Sequence, residues 1–241
     1  MPTASYAMTP ADAQAIEKCL SPGRVGSYHP PLVTCDQGED PLAAALRLYR
    51  WNAEIAAALW TVMHVFEVTV RNAVSDAVTQ VHGPNWTHDA SFHAKLPPAP
   101  RDRSTNRPAG YGAREDLQKQ SRLHPTPGKV IPELKMAFWE KMFTQRHDAD
   151  FWNSYLCTVF PNVDSAEPIR DHRNALRTRY ERVRRIRNRM GHHEPISDTS
   201  RFDLSQCYTG MMEVLSWRSS EIHAWVADVE NVQEVLLRRP R

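Results

Sequence analysis

Three observations predict an all-α protein. Ala, Leu, Arg and Glu are plentiful while glycine is scarce, 9 of 241 residues, a composition that favours helix over sheet. Between Pro41 and His82 no further Pro or Gly interrupts the chain. Apolar residues recur there at helical spacing: Leu59, Val62, Phe66, Val70, Val74, Val78 and Val81. Farther on, Leu176, Tyr180, Val183, Ile186 and Met190 are spaced 4, 3, 3 and 4 apart and form one apolar stripe on a strongly basic helix.

The elements follow in order. Thr9-Pro10-Ala11-Asp12 combines an N-cap, a first-turn proline and an acid, and opens a helix to about Leu20. Ser21 to Asp40 is rich in Pro and Gly and reads as an arm or loop. Asp40-Pro41 starts the long apolar segment, ended by Gly83-Pro84. A single helix of that length is unusual, so two helices or a kink near Trp51-Asn52 are expected. From Thr87 to Gly112 the chain is polar and broken by Pro97, Pro98, Pro100 and Pro108, which reads as an insertion or a mobile loop. A short helix, Ala113 to His124, follows. Pro132 opens a helix carrying Leu134, Phe138, Trp139, Met142 and Phe143. Another helix runs from Asp150 to Phe160, stopped by Pro161. The basic helix is expected from Glu167-Pro168 to Met190, and a last one from Asp203 to Ala227 with Leu204, Met211, Leu215, Ile222 and Val226 inward. The expected organisation is a helix and arm over 1–40 and a helical domain over 41–241, with an insertion at about 87–125.

Composition bounds the function loosely. The formal net charge is +2, so global charge says little about nucleic acid. No apolar run approaches the roughly 20 residues of a membrane span, and no basic start followed by an apolar stretch marks a signal peptide. Cys19, Cys35, Cys157 and Cys207 lack paired spacing and read as reduced thiols of a cytoplasmic protein. His82, His88 and His93 fit no zinc pattern, and Gly-rich phosphate loops are absent, so no metal or cofactor is expected. Trp51, Trp60, Phe138, Trp139, Trp152 and Trp217 lie at helical spacings and read as core.

The most informative stretch is Arg185-Ile186-Arg187-Asn188-Arg189-Met190-Gly191-His192-His193-Glu194-Pro195. Gly191 is the expected C′ residue of the basic helix, since glycine enters the left-handed region without strain. Arg187 then falls in the last turn, beside the apolar stripe, with His192 and His193 just beyond. A fixed cation binds phosphate and an imidazole moves protons near neutral pH, so the pairing suits phosphodiester chemistry. The other arginines of the helix read as a solvated face that also attracts a phosphate backbone. A second polar cluster, Glu67, Arg71 and Asn72, sits in an otherwise apolar helix, where buried polar groups need partners. His64 shares that face. The plain alternative is a local Glu67–Arg71 ion pair.

Arg187 to His192 is an R-x4-H spacing with Asn188 after the Arg, and this resembles the HEPN superfamily of helical ribonucleases, most closely its Abi-like (abortive infection) proteins. Leu48-Tyr49-Arg50-Trp51-Asn52 is similar to their early LYxWN element. Glu67-Val68-Thr69-Val70-Arg71-Asn72 is similar to their E-x3-RN helix. Ala137-Phe138-Trp139-Glu140-Lys141-Met142-Phe143 resembles their FGFW segment, with Ala137 in place of Gly. The resemblance runs from about Pro41 to about Asp228.

This resemblance implies a HEPN-like helical bundle carrying a Pro-rich insertion, and a metal-independent endoribonuclease acting as a toxin or effector in bacterial antiphage defence. Arg187, His192, His193 and Asn188 would form the catalytic group, His193 serving either as a second imidazole or to orient the first. Glu67, Arg71 and Asn72 would support the catalytic turn, and Arg184, Arg185 and Arg189 would bind RNA. A homodimer is implied, with its two turns lining one cleft, together with an antitoxin or activating partner. In some HEPN toxins a modified Tyr stands two residues after the motif His; here that residue is Glu194, which weakens the case for that kind of partner. The competing reading is a non-catalytic RNA-binding or protein-interaction module on the same helical fold.

Overall fold

Thr9 opens the first helix as a reciprocal cap: its hydroxyl accepts the Asp12 N–H at 3.2 Å, while Asp12 accepts the Thr9 N–H at 3.0 Å. The computed structural model describes residues 8–35 and 37–240. The helices are α1 (Pro10–Leu20), α2 (Pro22–Val25), α3 (Pro41–His82), α4 (Ala90–Lys95), α5 (Ala113–Leu123) and α6 (Pro127–Val130). They continue with α7 (Met136–Met142), α8 (Asn153–Val159), α9 (Ile169–Gly191), α10 (Leu204–Arg218), α11 (Ser220–Val229) and α12 (Val232–Leu237). Of the described residues 70% are helical, and their only extended pairing is an isolated bridge between Arg101 and Pro108. The all-α class is therefore correct.

Several boundaries differ from expectation, each for a local reason. α3 is one unbroken helix of 42 residues, because no Pro or Gly interrupts it and both halves bury apolar side chains. Gly83 (φ +76) ends it, donating its N–H to the Thr79 carbonyl at 2.9 Å. Val81, expected inside, is 42% exposed in this last turn. Over 18 residues α3 reaches a mean hydropathy of 1.4, so it is long and apolar enough to cross a membrane by length and composition. Alanines and valines with few charges reach that mean without an unbroken apolar run. α7 begins at Met136 rather than Pro132, after a 3-10 turn over Ile131–Glu133. A π-helical turn, Asp148–Trp152, leads into α8. The expected last helix is broken at Ser219, whose hydroxyl accepts the N–H groups of Glu221 and Ile222 at 3.1 and 3.2 Å and so caps α11. The polar insertion contains α4, whose Phe92 is fully buried, and Leu96 after it is buried as well.

Contacts divide the chain into two compact units. The first comprises the described residues of Met1–Val62 with Arg185–Tyr208 and Val229–Arg241; the second comprises Met63–Arg184 and Thr209–Asp228. The N-terminal arm thus belongs with the end of the basic helix. In the first unit Val25, Tyr28, Leu48, Trp51, Ile55, Leu59 and Val62 are buried with Ile186, Met190, Ile196, Val232 and Val235. Trp51 ties the unit together: its indole N–H donates to the Val235 carbonyl at 2.8 Å, and the Arg239 guanidinium lies 5.6 Å over its ring. Arg239 also donates to the carbonyls of Leu32 and Ser197, at 3.1 and 3.2 Å.

The second unit has an aromatic core. Trp86 meets Phe92 edge-on at 5.3 Å, Phe143 stacks on Trp152 at 5.1 Å, and Phe66 lies 5.6 Å from Tyr180. The Trp152 indole N–H donates to the Met142 carbonyl at 2.7 Å, as a buried indole requires. Arg173, 4% exposed, grips Asp148 with two hydrogen bonds of 2.7 and 3.0 Å. The stripe Leu176, Tyr180, Val183, Ile186 and Met190 is buried throughout, as its spacing predicts.

Candidate functional site

The end of α9 departs from the sequence expectation at one residue. His193, with φ +54, takes the left-handed C′ position, while Gly191 stays helical. The His193 N–H donates to the Met190 carbonyl at 3.0 Å, and the Glu194 N–H donates to the Arg189 carbonyl at 2.8 Å. These two bonds form a Schellman cap, which satisfies the last carbonyls of the helix. A histidine in this conformation costs roughly 1 kcal/mol relative to glycine. Nothing lies within 4 Å of a Cβ added at Gly191, so neither space nor backbone conformation demands glycine there.

Two distant residues hold this turn. An Arg24 guanidinium N–H donates to the His193 carbonyl, joining positions 169 residues apart. Asn52, the last residue of the Leu48–Asn52 motif, accepts the Ile196 N–H at 2.8 Å. Arg24 thereby adds a cation near the turn. Beside it Tyr28 is buried and lies 4.9 Å from Tyr49. Burial first, and then Tyr49, push the Tyr28 phenol up to about 12, against the opposing charges of Arg24 and Arg189.

Within the first unit, Arg187 is the distinctive side chain. It is half-buried, and its Nε is sealed from solvent without a hydrogen-bond partner. No carboxylate among the described residues pairs with it. Its guanidinium carbon instead lies 5.7 Å over the ring of Trp60. Trp60 is 38% exposed, which corrects its reading as core: it falls one residue after Leu59, off the buried face of α3. Asn188 is half-buried, and its carbonyl accepts the His192 N–H at 3.1 Å. His192 and His193 are exposed, and neither imidazole is hydrogen-bonded among the described residues. Arg187, Asn188, His192 and His193 are thus gathered in one capped turn.

The predicted RNA-binding arginines separate. Arg185 is exposed and makes no ion pair among the described residues. Arg189 is engaged by the turn itself: Nε donates to the Pro195 carbonyl at 2.9 Å, the guanidinium pairs with Glu194 at 3.0 Å, and it lies 4.8 Å over Phe202. Arg184, in the second unit, donates from Nε to Glu140, which is 5% exposed. A buried carboxylate needs that partner, so this charge serves the fold.

The expected supporting cluster also lies in the second unit. Glu67 and Arg71 are half-buried and Asn72 is exposed. The local Glu67–Arg71 ion pair allowed by their spacing does not form. Both charges act on the buried Tyr180, whose phenol lacks a hydrogen-bond partner. Burial, then Glu67 and Glu140, raise its pKa, while Arg71 and Arg184 oppose them. His64 is exposed.

Elsewhere in the first unit a cavity of about 830 Å³ is lined by apolar residues such as Ile16, Leu20, Leu46 and Ala53. Its Arg47 is paired with Glu39 at 2.7 Å, so it lacks the free cation found at Arg187. Among the described residues no group of three or more His, Cys, Asp or Glu is placed to hold a metal ion. Compared with known proteins, the chain matches no protein-family model, no curated protein and no solved structure.

Proposed function

We propose that this protein is a metal-independent endoribonuclease of the Abi-like HEPN kind, working in the cytoplasm as a toxin or effector of antiphage defence. One observation carries the reading: Arg187 holds a guanidinium that no carboxylate among the described residues neutralises, set over Trp60 in the helix turn that ends in two exposed imidazoles. An oriented, unpaired cation next to proton-transfer groups is what cleavage of a phosphodiester requires.

In the proposed reaction an imidazole of the turn takes the proton from a ribose 2′-OH. The 2′-oxygen attacks the adjacent phosphorus, the P–O5′ bond breaks, and a second imidazole delivers a proton to the 5′-oxygen. Arg187 stabilises charge on the non-bridging oxygens. The products are a 2′,3′-cyclic phosphate, opened by water to a 3′-phosphate, and a 5′-hydroxyl. His192 and His193 supply the imidazoles, Asn188 holds the backbone at the cap, and a homodimer brings a second turn to the same RNA. An antitoxin or activating partner restrains or triggers the activity in the cell. DNA lacks the 2′-OH and is not cleaved.

A second reading rests on the same turn. Neither imidazole is hydrogen-bonded to an orienting group among the described residues, which suits a module that binds RNA through Arg187 without cutting it. The deciding experiment incubates mixed cellular RNA with the protein, Arg187→Ala or His192→Ala in excess EDTA, followed by end-group analysis. Cleavage by the parent alone, leaving cyclic phosphate ends, supports the nuclease. Equal cleavage by all three overturns it, and RNA binding without cleavage by any favours the binding module.

A further inference from the structure

We infer that Trp60 is the surface on which an unpaired base of the RNA stacks while Arg187 holds an adjacent phosphate. The inference rests on the proposed role of Arg187 as the phosphate-binding cation. An exposed aromatic residue alone says nothing, because single exposed apolar side chains are ordinary. The setting of this one is specific. Around it on α3, Ile55, Leu59 and Val62 are fully buried, while the indole of Trp60 keeps more than a third of its surface in solvent, at 38%. Its ring carries Arg187, which no carboxylate among the described residues neutralises.

The two groups together fit a nucleotide. A guanidinium offers a planar set of donors to a phosphate, and the indole offers a π-surface that any base can use without hydrogen-bond readout. Arg185, exposed and unpaired among the described residues, adds positive charge two positions earlier on α9. A duplex keeps its bases stacked inside and cannot present one to an indole, so the substrate is single-stranded or looped RNA. Because stacking tolerates any base, the expected sequence preference is weak.

The test measures binding of a short, fluorescein-labelled single-stranded RNA with 2′-O-methyl riboses, which cannot be cleaved, across a salt series. Trp60→Ala is expected to weaken binding about tenfold, and Trp60→Phe to restore most of it. Trp60→Ala should leave the salt slope unchanged, whereas Arg187→Ala should lower it by about one. Replacing the RNA with a fully paired duplex should abolish the difference between the parent and Trp60→Ala. Circular dichroism confirms that each variant is folded. If Trp60→Ala binds like the parent while Arg187→Ala lowers the slope, the stacking role is overturned and the role of Arg187 stands. If Trp60→Ala instead changes only the oligomeric state, the indole belongs to a surface between copies and the inference is overturned. If the parent protein binds no RNA, the phosphate-binding reading of Arg187 falls and this inference falls with it.

Discussion

The two ends of α9 use the same residue type for opposite purposes. Along the part of α9 in the second unit, Arg173, Arg179 and Arg184 each pair with a carboxylate, Asp148, Glu213 and Glu140 respectively. Asp148 and Glu140 are largely buried, with side-chain exposures of 18% and 7%. At the end of the helix in the first unit, Arg187 has no such partner among the described residues and lies over an indole. Arg173 and Arg184 neutralise carboxylates inside the protein and Arg179 a half-exposed one, while on the proposed function Arg187 keeps its charge for a phosphate. An arginine-rich helix is therefore not uniformly a nucleic-acid surface; the partner of each guanidinium decides.

The largest effect that could break this contrast is on stability. Arg173→Ala removes both hydrogen bonds to Asp148 and leaves a mostly buried carboxylate without its cation. About 3–5 kcal/mol of stability should be lost, read as a lower urea midpoint. Arg187→Ala leaves no buried carboxylate behind and gives up only the contact with Trp60. Its unfolding free energy should change by less than about 1 kcal/mol, while RNA cleavage falls by about 10²-fold or more. Should the two variants destabilise equally, the contrast disappears.

His147 sharpens the distinction, because an unpartnered polar group is not by itself a site. It is 1% exposed, both ring nitrogens lack partners, and it stacks 5.3 Å from Phe151. Burial first lowers its pKa to about 4, against the opposing pull of Asp150. Arg146 and Lys95 lower it further, and Asp148 raises it. The folded protein thus keeps His147 neutral while the unfolded chain takes up a proton below its ordinary value of 6.5. This contribution is intact above that pH, declines as pH falls, and is fully lost below about 4. The loss is on the order of 3 kcal/mol, measurable as urea midpoints across the window. His147→Phe should flatten that dependence and leave RNA cleavage unchanged.

The smallest expected effects concern the cap. His193→Gly relieves the left-handed strain, and Gly191→Ala improves a helical position with open space around it. Each should stabilise the fold by about 0.5–1 kcal/mol. A reading with Gly191 in the left-handed position requires the opposite sign for Gly191→Ala, so thermal melts separate the two directly.

What could be read from sequence was what periodicity and local chemistry encode. The Leu176–Met190 stripe, the Thr9 cap and the Gly83 stop all act over a few residues, and all appear as expected. The cap at Ser219 carried a local signal too, since a serine followed by Ser220 and Glu221 starts helices; the apolar pattern on either side masked it. The turn at 187–193 was legible by residue type and spacing, but the left-handed residue was not. A histidine takes that position because two backbone bonds and Arg24 hold it there, and Arg24 lies 169 residues away. The exposure of Trp60 could have been found from its one-residue offset from Leu59, had it not been grouped with the core aromatics. That Glu67 and Arg71 act on Tyr180 depends on packing between helices far apart in the chain, which no local pattern encodes.

The most direct test of the central claim is the single-turnover rate of RNA cleavage for the parent, Arg187→Lys and Arg187→Ala, each with its urea midpoint measured in parallel. Expected are stabilities within about 1 kcal/mol of the parent, a rate reduced by about 10²-fold or more in Arg187→Ala, and only partial recovery in Arg187→Lys, which keeps the charge but not the planar, stacking donor set. Cleavage at the parent rate by Arg187→Ala with an unchanged midpoint would contradict the claim, because the unneutralised guanidinium would then have no part in the reaction.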